Sequence, residues 1–211
     1  MENVVAKKVA SLLLDIKAIK IRPDQPFTWA SGWKSPIYCD NRISLSHPTV
    51  RTYIKQALAM KIQELYPEVD AIAGVATAGI PQGALVADAL NIPLLYVRSK
   101  PKGHGMTNMI EGEAPKGSKV VVIEDLVSTG GSSLKAVDAL KEAGYEVMGM
   151  MAIFTYGFPV ATQNFEDAGV TLHTLSNYQH LIELAHENKY IAEDTVDSLK
   201  KWRESPDTWG Q

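Results

Sequence analysis

The feature that most constrains the fold is an apolar run ending in two adjacent carboxylates. Residues 120–133 read VVVIEDLVSTGGSS. A β-branched run without alternation is typical of a central strand in a parallel sheet, because such a strand is buried on both faces. We therefore predict a strand over residues 120–123, with Glu124 and Asp125 following it at its carboxyl end.

A turn rich in glycine and hydroxyl groups follows the carboxylates. Leu134, Val137 and Leu140 then recur at helical spacing, and Gly144 is a plausible helix stop. Residues 128–133 are thus predicted to link a strand to a helix. Free backbone N–H groups and the positive helix end favour a phosphate monoester there, while the carboxylates suit sugar hydroxyls or a cation. An ordinary loop of small residues is the alternative, but it does not explain two acids at a strand end.

The rest of the chain alternates between strand and helix patterns. Five strands are predicted at residues 71–75, 94–97, 120–123, 148–154 and 170–175, and helices at about 81–90, 132–143 and 160–168. Alternation of this kind predicts an α/β fold with a mainly parallel sheet flanked by helices and ligands at the carboxyl ends of the strands. We divide the single compact domain into N-terminal hood and helices (1–66), core (67–176) and C-terminal helices with a polar tail (177–211).

Composition narrows the class of protein. The 211 residues are 45% hydrophobic and 21% charged, which is ordinary for a soluble globular chain. The formal charge of −3, without a basic stripe, argues against a nucleic-acid partner. A single cysteine, Cys39, excludes an internal disulfide and fits a reducing cytoplasm, and we interpret it as structural. No secretory signal or membrane-spanning run is apparent, so a cytoplasmic location without membrane contact is expected.

Two further loops suggest anion binding. Residues 73–81 carry two glycines and no bulky side chain between a strand and a helix, a shape suited to backbone contact with an anion or to a tight packing turn. Residues 96–112 contain one arginine, two lysines and a histidine within seven residues. Charge clusters are usually solvated surface, but a basic flap beside a phosphate site would stabilise a departing anion and exclude water.

The 120–133 stretch resembles the phosphoribosyl pyrophosphate (PRPP) motif of the type I phosphoribosyltransferases. The resemblance implies that fold, with Glu124 and Asp125 on the ribose hydroxyls and the following loop on the 5-phosphate. It also makes residues 77–79 the pyrophosphate loop. The implied PRPP contacts are Thr77, Ala78, Gly79, Glu124, Asp125, Leu126, Val127, Ser128, Thr129, Gly130, Gly131 and Ser132.

Almost the whole chain resembles one subgroup, the orotate phosphoribosyltransferases. The aromatic segment 27–38, the flap and residues 124–132 carry this resemblance. It implies that Arg98, Lys102 and His104 contact PRPP, that Lys102 acts in catalysis with the two acids, and that flap 98–112 completes the site of the neighbouring subunit in a homodimer. It also implies Mg²⁺ held mainly by PRPP, with few direct protein ligands.

The implied reaction is transfer of phosphoribosyl from PRPP to N1 of orotate, giving orotidine 5′-monophosphate in pyrimidine (UMP) biosynthesis. Segment 27–38, called the hood below, would cover the base, with Lys34, Tyr38 and Ser128 as orotate contacts. Its aromatic side chains could instead simply pack the first helix onto the sheet. A purine phosphoribosyltransferase and a non-catalytic PRPP sensor remain as alternatives.

The chain departs from the family pattern at three places. Ser99 replaces a frequent lysine, with Lys100 one place later, and Ala30 replaces a lysine of some members. Residues 155–158, Thr-Tyr-Gly-Phe, replace an Asp-Arg pair whose arginine would face orotate. The residue that replaces that arginine is left open by the sequence.

Overall fold

The fold is an α/β sandwich, seen in a computed structural model that describes residues 2–29, 32–100 and 109–209. Its elements in chain order are α1 (Glu2–Asp15), β1 (Ile19–Ile21), β2 (Phe27–Thr28), β3 (Lys34–Ser35), β4 (Ile37–Cys39), a 3-10 helix (Asn41–Ser46), α2 (Pro48–Leu65), β5 (Ala71–Val75), α3 (Gly79–Leu90), β6 (Leu94–Val97), β7 (Ile110–Glu111), β8 (Lys119–Val127), α4 (Gly131–Glu142), β9 (Glu146–Thr155), α5 (Pro159–Asp167), β10 (Leu172–Asn177), α6 (Tyr178–Glu187) and α7 (Glu193–Glu204).

The central sheet of the described chain has six strands in the order β10-β9-β8-β5-β6-β7. All neighbouring pairs are parallel except β6 and β7 at one edge. The prediction of a mainly parallel sheet is therefore confirmed. Strand β8 lies at the centre, with β5 on one side and β9 on the other, so the carboxyl ends of β5 and β8 lie side by side.

Helices cover both faces of the sheet. Val121 and Ile123 point into a core shared with α1, α2, α3, α6 and α7, whereas Val120 and Val122 point into a second core with α4 and α5. All four valine and isoleucine side chains are fully buried. This is the environment that the unbroken β-branched run predicted.

The predicted end of the central strand was wrong. Strand β8 continues to Val127, so Glu124 and Asp125 lie within the strand rather than after it. The strand continues because β9 extends beside it, pairing Glu124 with Ala152 and Leu126 with Phe154. The last residue pair between β5 and β8 is Gly74 with Ile123. Glu124 and Asp125 follow this pair, so the edge of β8 beside them has no partner in β5.

Other boundaries shift by a few residues. The last core strand starts at Leu172 rather than at residue 170, because the Val170 N–H donates to the carbonyl of Phe165 and closes the end of α5. Sequence patterns did not predict the short hairpin pairs β1–β4 and β2–β3 or the edge strand β7, each only two or three residues long. Within the described ranges, no helix combines the length and apolar character needed to cross a bilayer.

Candidate active site

Two carboxyl groups form the centre of the site. Glu124 is buried, and its carboxylate oxygens accept hydrogen bonds from the Asp125 N–H at 3.0 Å and from the Ser133 hydroxyl at 3.0 Å. Asp125 is half-buried, so it is the more accessible of the two acids. Glu124 is thus held by α4, while Asp125 is available to a ligand.

Burial and mutual repulsion change the titration of this pair. Burial, and then the neighbouring Asp125 charge, raise the pKa of Glu124 to about 8. Burial also raises the pKa of Asp125, although hydrogen bonding to Glu124 and to backbone N–H groups offsets part of that increase. Burial therefore favours the protonated form of Glu124 near neutral pH.

The turn after β8 places backbone N–H groups at the start of a helix. Gly130 has a φ of +85° and directly precedes α4, a backbone conformation that favours glycine. The turn is held from outside, because the Asn164 side chain donates to the Thr129 carbonyl at 2.9 Å. Ser128 and Thr129 are half-buried, and Gly131 and Ser132 are exposed. The predicted phosphate loop is thus a turn fixed to α5 by this hydrogen bond, with Gly131 and Ser132 exposed.

The remaining predicted loop positions differ in role. Val127 is fully buried, and its carbonyl accepts the Thr155 hydroxyl at 3.1 Å. Leu126 packs against the core as a partly buried side chain. Both positions therefore belong to the strand, and any PRPP contact from them stays a prediction.

The second predicted anion loop is short and lies against β8. Residues 76–78 join β5 to α3, and the Ala76–Thr77 peptide bond is cis. Gly79 opens α3 so close to the central strand that a β-carbon there would lie 2.5 Å from the Ile123 carbonyl oxygen. Thr77 is exposed and Ala78 half-buried. Close packing on β8 explains the glycine at position 79, and it brings the end of the 76–78 loop next to Ile123 and Glu124.

The base of the flap is ordered by one ion pair. Arg98 follows β6, and its Nη1 lies 3.3 Å from the Glu111 carboxylate. The Arg98 N–H donates to the Met109 carbonyl at 2.8 Å, so the two ends of the flap meet. Ser99 and Lys100 are exposed. Lys102 and His104, as well as hood residue Ala30, lie outside the described residues.

The predicted base contacts lie in the hood hairpins. Lys34 Nζ donates to the Thr28 hydroxyl at 2.9 Å across the β2–β3 pair. Tyr38 is 40% exposed, and its ring lies 5.5 Å from that of Phe27. Both Lys34 and Tyr38 are therefore near the surface, where a flat base could contact them.

The hood is attached to the C-terminal helix by an aromatic cluster, defined here as Trp29, Tyr156, Phe158, Tyr178 and Trp202. Their rings pack with centroids 5.1 to 6.4 Å apart. The indole of Trp202 is fully buried, and its N–H donates to the backbone carbonyl of Lys34 at 3.1 Å. Trp29 thus packs on α7 and on the end of β9. The alternative considered for the aromatic residues of the hood was that they pack α1 onto the sheet.

A polar chain joins the hood to the acid pair. The Asn41 amide donates to the Asp125 carbonyl at 2.7 Å, and its oxygen accepts from the Cys39 thiol at 3.3 Å. Ser44 donates to the Asn41 carbonyl at 2.6 Å. Burial, with the charges of Asp125 and Asp40 adding to it, raises the pKa of Cys39 well above its usual value, consistent with a structural thiol.

Sequence reasoning missed three residues that build the site. Ser133 had a usable signal, since a hydroxyl in the first turn of a helix after an acid is well placed to bond it. Asn41 had none, because its partner lies 84 residues away. Trp202 follows Leu199 at helical spacing, which indicates burial but not contact with Lys34.

Comparison with known proteins matches this architecture. Residues 45–173 fit the model of the phosphoribosyl transferase domain family. The orotate phosphoribosyltransferase of Cytophaga hutchinsonii is 58% identical over 203 residues, covering 96% of this chain and 97% of that protein.

Solved structures show the same fold. The orotate phosphoribosyltransferase of Aeropyrum pernix superimposes with a TM-score of 0.76 at 29% identity, covering 87% of this chain and 99% of that one. The UMP synthase of Leishmania donovani gives a TM-score of 0.79 at 27% identity, covering 94% of this chain but 42% of that one. The predicted fold class and family resemblance are confirmed, and the chain belongs to the orotate phosphoribosyltransferases, transferase enzymes of pyrimidine biosynthesis.

Proposed function

We propose that the protein catalyses Mg²⁺-dependent transfer of phosphoribosyl from PRPP to N1 of orotate, giving orotidine 5′-monophosphate and pyrophosphate. The observation that carries this proposal is the Glu124–Asp125 pair, which starts beside Gly79 at the end of the 76–78 loop and is followed by the glycine turn before α4. PRPP is a ribose with phosphate groups at both ends. It needs an anion-binding loop at each end and hydrogen-bond acceptors for its hydroxyls between them.

The acid pair would hold the ribose. Asp125 accepts the 2- and 3-hydroxyl hydrogens from its half-buried position, and Glu124 supports it from the buried side. The backbone N–H groups of the turn, together with Ser128, Thr129 and Ser132, take the 5-phosphate at the positive end of α4. Charge and geometry at this end of the sheet therefore orient the sugar before reaction.

The pyrophosphate would lie at the 76–78 loop, under the flap. Arg98, Lys102 and His104 supply positive charge, which stabilises the leaving group more strongly as the bond to C1 breaks. Phosphate oxygens of PRPP would supply most of the ligands to Mg²⁺, a hard cation that prefers oxygen donors, with few ligands from the protein. When bound, Mg²⁺ neutralises part of the charge on the pyrophosphate oxygens.

The base would enter under the hood. Orotate is already anionic, so the enzyme does not need to generate a strong nucleophile. Lys34, Tyr38 and Ser128 position the ring over the ribose, and closure of the site excludes water from an oxocarbenium-like sugar. The base would be held on the hood side and pyrophosphate would leave on the other side, so transfer would take place at C1 of the ribose between them.

The first test measures loss of orotate absorbance when PRPP and Mg²⁺ are added to the purified protein. Uracil, hypoxanthine and adenine are assayed in parallel. Turnover confined to orotate supports the proposal. Turnover of a purine would favour purine phosphoribosyl transfer instead, and PRPP binding without turnover of any base would favour a sensor.

A homodimer in which flap 98–112 completes the neighbouring site is part of the proposal. Lys102→Ala should lower kcat far more than it weakens PRPP binding, because its charge matters most as pyrophosphate leaves. Mixing this variant with Asp125→Asn should restore activity through hybrid dimers that contain one intact site. If activity stays absent although the subunits demonstrably exchange, sharing of sites between subunits is ruled out.

A further inference from the structure

The base side of the site needs a cation that residues 155–158 do not provide. The Thr155 hydroxyl donates to the Val127 carbonyl, and Tyr156 and Phe158 are buried in the aromatic cluster. None of these side chains carries a positive charge. Orotate bears a carboxylate beside N1, so specificity for this base requires a positive group elsewhere near the ribose acids.

Arg42 has the geometry for that role. It lies in the 3-10 helix directly after the hood, and its Nε and Nη2 bind the two Asp40 carboxylate oxygens at 2.7 and 2.9 Å. Asp40 therefore holds one edge of the planar guanidinium. The Arg42 side chain is 60% exposed, and its Nη1 has no hydrogen-bond partner among the described residues. The remaining edge is free to bind a second carboxylate.

The 3-10 helix is fixed against the ribose acid. Asn41, the neighbour of Arg42, donates to the Asp125 carbonyl at 2.7 Å. The Arg42 charge reaches the same residue: burial raises the pKa of Asp125, and the guanidinium of Arg42 is among the groups that offset this increase. The pKa of Arg42 is itself raised, mainly by the hydrogen bond to Asp40 and further by Tyr38 and Asp125. Arg42 thus lies within electrostatic range of both the ribose acid and a predicted base contact.

We infer that Arg42 binds the carboxylate of orotate through its free Nη1 edge and selects this base over neutral pyrimidines. The inference rests on the proposed function. N1 of the base bonds to C1 of the ribose, and the carboxylate is on the carbon next to N1. A ribose whose hydroxyls bind Asp125 therefore places that carboxylate close to Arg42. A planar guanidinium already oriented by one carboxylate loses little freedom on binding another.

Other cations of the hood region are less suited. Lys34 Nζ is engaged with the Thr28 hydroxyl. The guanidinium of Arg22 lies over the Phe27 ring, 5.5 Å from its centroid, and Arg22 lies outside the 3-10 helix that Asn41 fixes to Asp125. Arg22 is therefore a matched control, since it is an arginine of the same region without the link to the ribose acid.

The experiment compares orotate with orotamide, an uncharged analogue of the same shape. Binding of each is measured with pyrophosphate and Mg²⁺, which do not react with either base, and steady-state kinetics with PRPP and Mg²⁺ are measured for wild type, Arg42→Met, Arg42→Lys and Arg22→Met. Arg42→Met should weaken orotate binding about 10- to 100-fold while leaving orotamide binding and the KM for PRPP nearly unchanged. Arg42→Lys should restore part of the preference, and Arg22→Met should keep the wild-type preference.

Several results would overturn the inference. An unchanged orotate-to-orotamide ratio in Arg42→Met, or loss of that ratio in Arg22→Met alone, excludes Arg42 as the carboxylate contact. An equal loss for both ligands together with a raised KM for PRPP assigns Arg42 a purely structural role through Asp40. If Arg42→Met does not fold, the ratio in Arg42→Lys decides, and a wild-type value there contradicts the inference. Failure of the proposed function is distinct, since wild type would then not turn over orotate at all.

Discussion

The proposed ribose-phosphate side of the site, residues 124–133, and the hood differ in how far apart along the chain their contacting residues lie. Glu124 and its partner Ser133 are nine residues apart, on one strand-turn-helix unit. In the hood, the Trp202 indole reaches the Lys34 carbonyl across 168 residues. One side is thus built by local chain geometry and the other by packing of distant segments.

This difference predicts how mutations should affect each side of the site. The ribose-phosphate side is a turn between two buried elements, so its backbone geometry depends on a few local residues such as Gly130. The geometry of the hood depends on α7, which contributes no predicted contact to PRPP or orotate. We therefore expect mutations in α7 to affect the base and mutations near β8 to affect PRPP.

Removal of the Trp202 side chain should have the largest effect. Trp202→Ala would lose about 3–5 kcal/mol of unfolding free energy, because it leaves a large cavity in the aromatic cluster. Urea denaturation measures this loss. Tyr190→Ala is the control, since Tyr190 is 60% exposed and its removal should change stability little.

A milder change at the same position sharpens the comparison. Trp202→Phe keeps most of the packing but removes the N–H that binds the Lys34 carbonyl, which should cost about 1 kcal/mol. The KM for orotate should rise while the KM for PRPP stays constant. Equal changes in both KM values would contradict the proposed division of the site.

Neutralising Asp125 tests the ribose side. Asp125→Asn keeps the size of the side chain but removes the charge that accepts ribose hydroxyls. We expect kcat/KM to fall about 10²- to 10³-fold, or about 2.7–4 kcal/mol, with the thermal midpoint nearly unchanged. Asp138→Asn on the exposed face of α4 should leave kcat/KM as in wild type. A mild loss in Asp125→Asn would remove this acid from the mechanism.

The rigidity of the glycine turn is tested by a matched pair of glycines. Gly130→Ala requires a side chain at a φ of +85° and places its β-carbon 2.8 Å from Phe165 Cε2, so about 2–3 kcal/mol of stability should be lost. Gly117→Ala has a similar φ of +81° but nothing within 4 Å. Its cost should be about 1–2 kcal/mol, from backbone strain alone. Equal losses would mean that Phe165 does not constrain the turn.

The pH dependence of PRPP binding should be a modest effect. Because the pKa of Glu124 is raised to about 8, this acid is protonated in the unliganded protein at neutral pH, and its ionised form would accept a ribose hydroxyl hydrogen more strongly when PRPP binds. PRPP affinity should then rise by up to tenfold, about 1.4 kcal/mol, per pH unit between pH 7 and about 8, and level off above that. Titration calorimetry in buffers of different ionisation enthalpy measures the released proton.

The raised pKa of Glu124 has the opposite effect on the stability of the unliganded protein, which should fall as pH rises. A carboxyl whose folded pKa exceeds its unfolded value stabilises the fold at acidic pH, and this contribution is lost as pH rises from the ordinary value of 4.5 towards about 8. Glu124→Gln should remove the pH dependence both of stability in this range and of PRPP binding. Persistence of either slope in Glu124→Gln would assign the proton to another group.

Much of the ribose-phosphate side was predictable from sequence. The run 120–123, the acids and the glycine turn were placed in the correct order, since each element follows from neighbouring residues. The end of β8 was not predictable, because it depends on how far β9 extends beside it. The accessible role of Asp125 and the buried role of Glu124 also required the position of α4 and its Ser133.

The sequence by itself determined a central buried strand, a mainly parallel α/β sheet and a glycine turn before a helix, because hydrophobic periodicity and glycine positions act over a few residues. Tertiary structure alone decided that Trp202 holds the hood and that Asn41 holds the Asp125 carbonyl. These contacts join residues more than 80 positions apart. Their partners are selected by packing across the folded core, which no local pattern encodes.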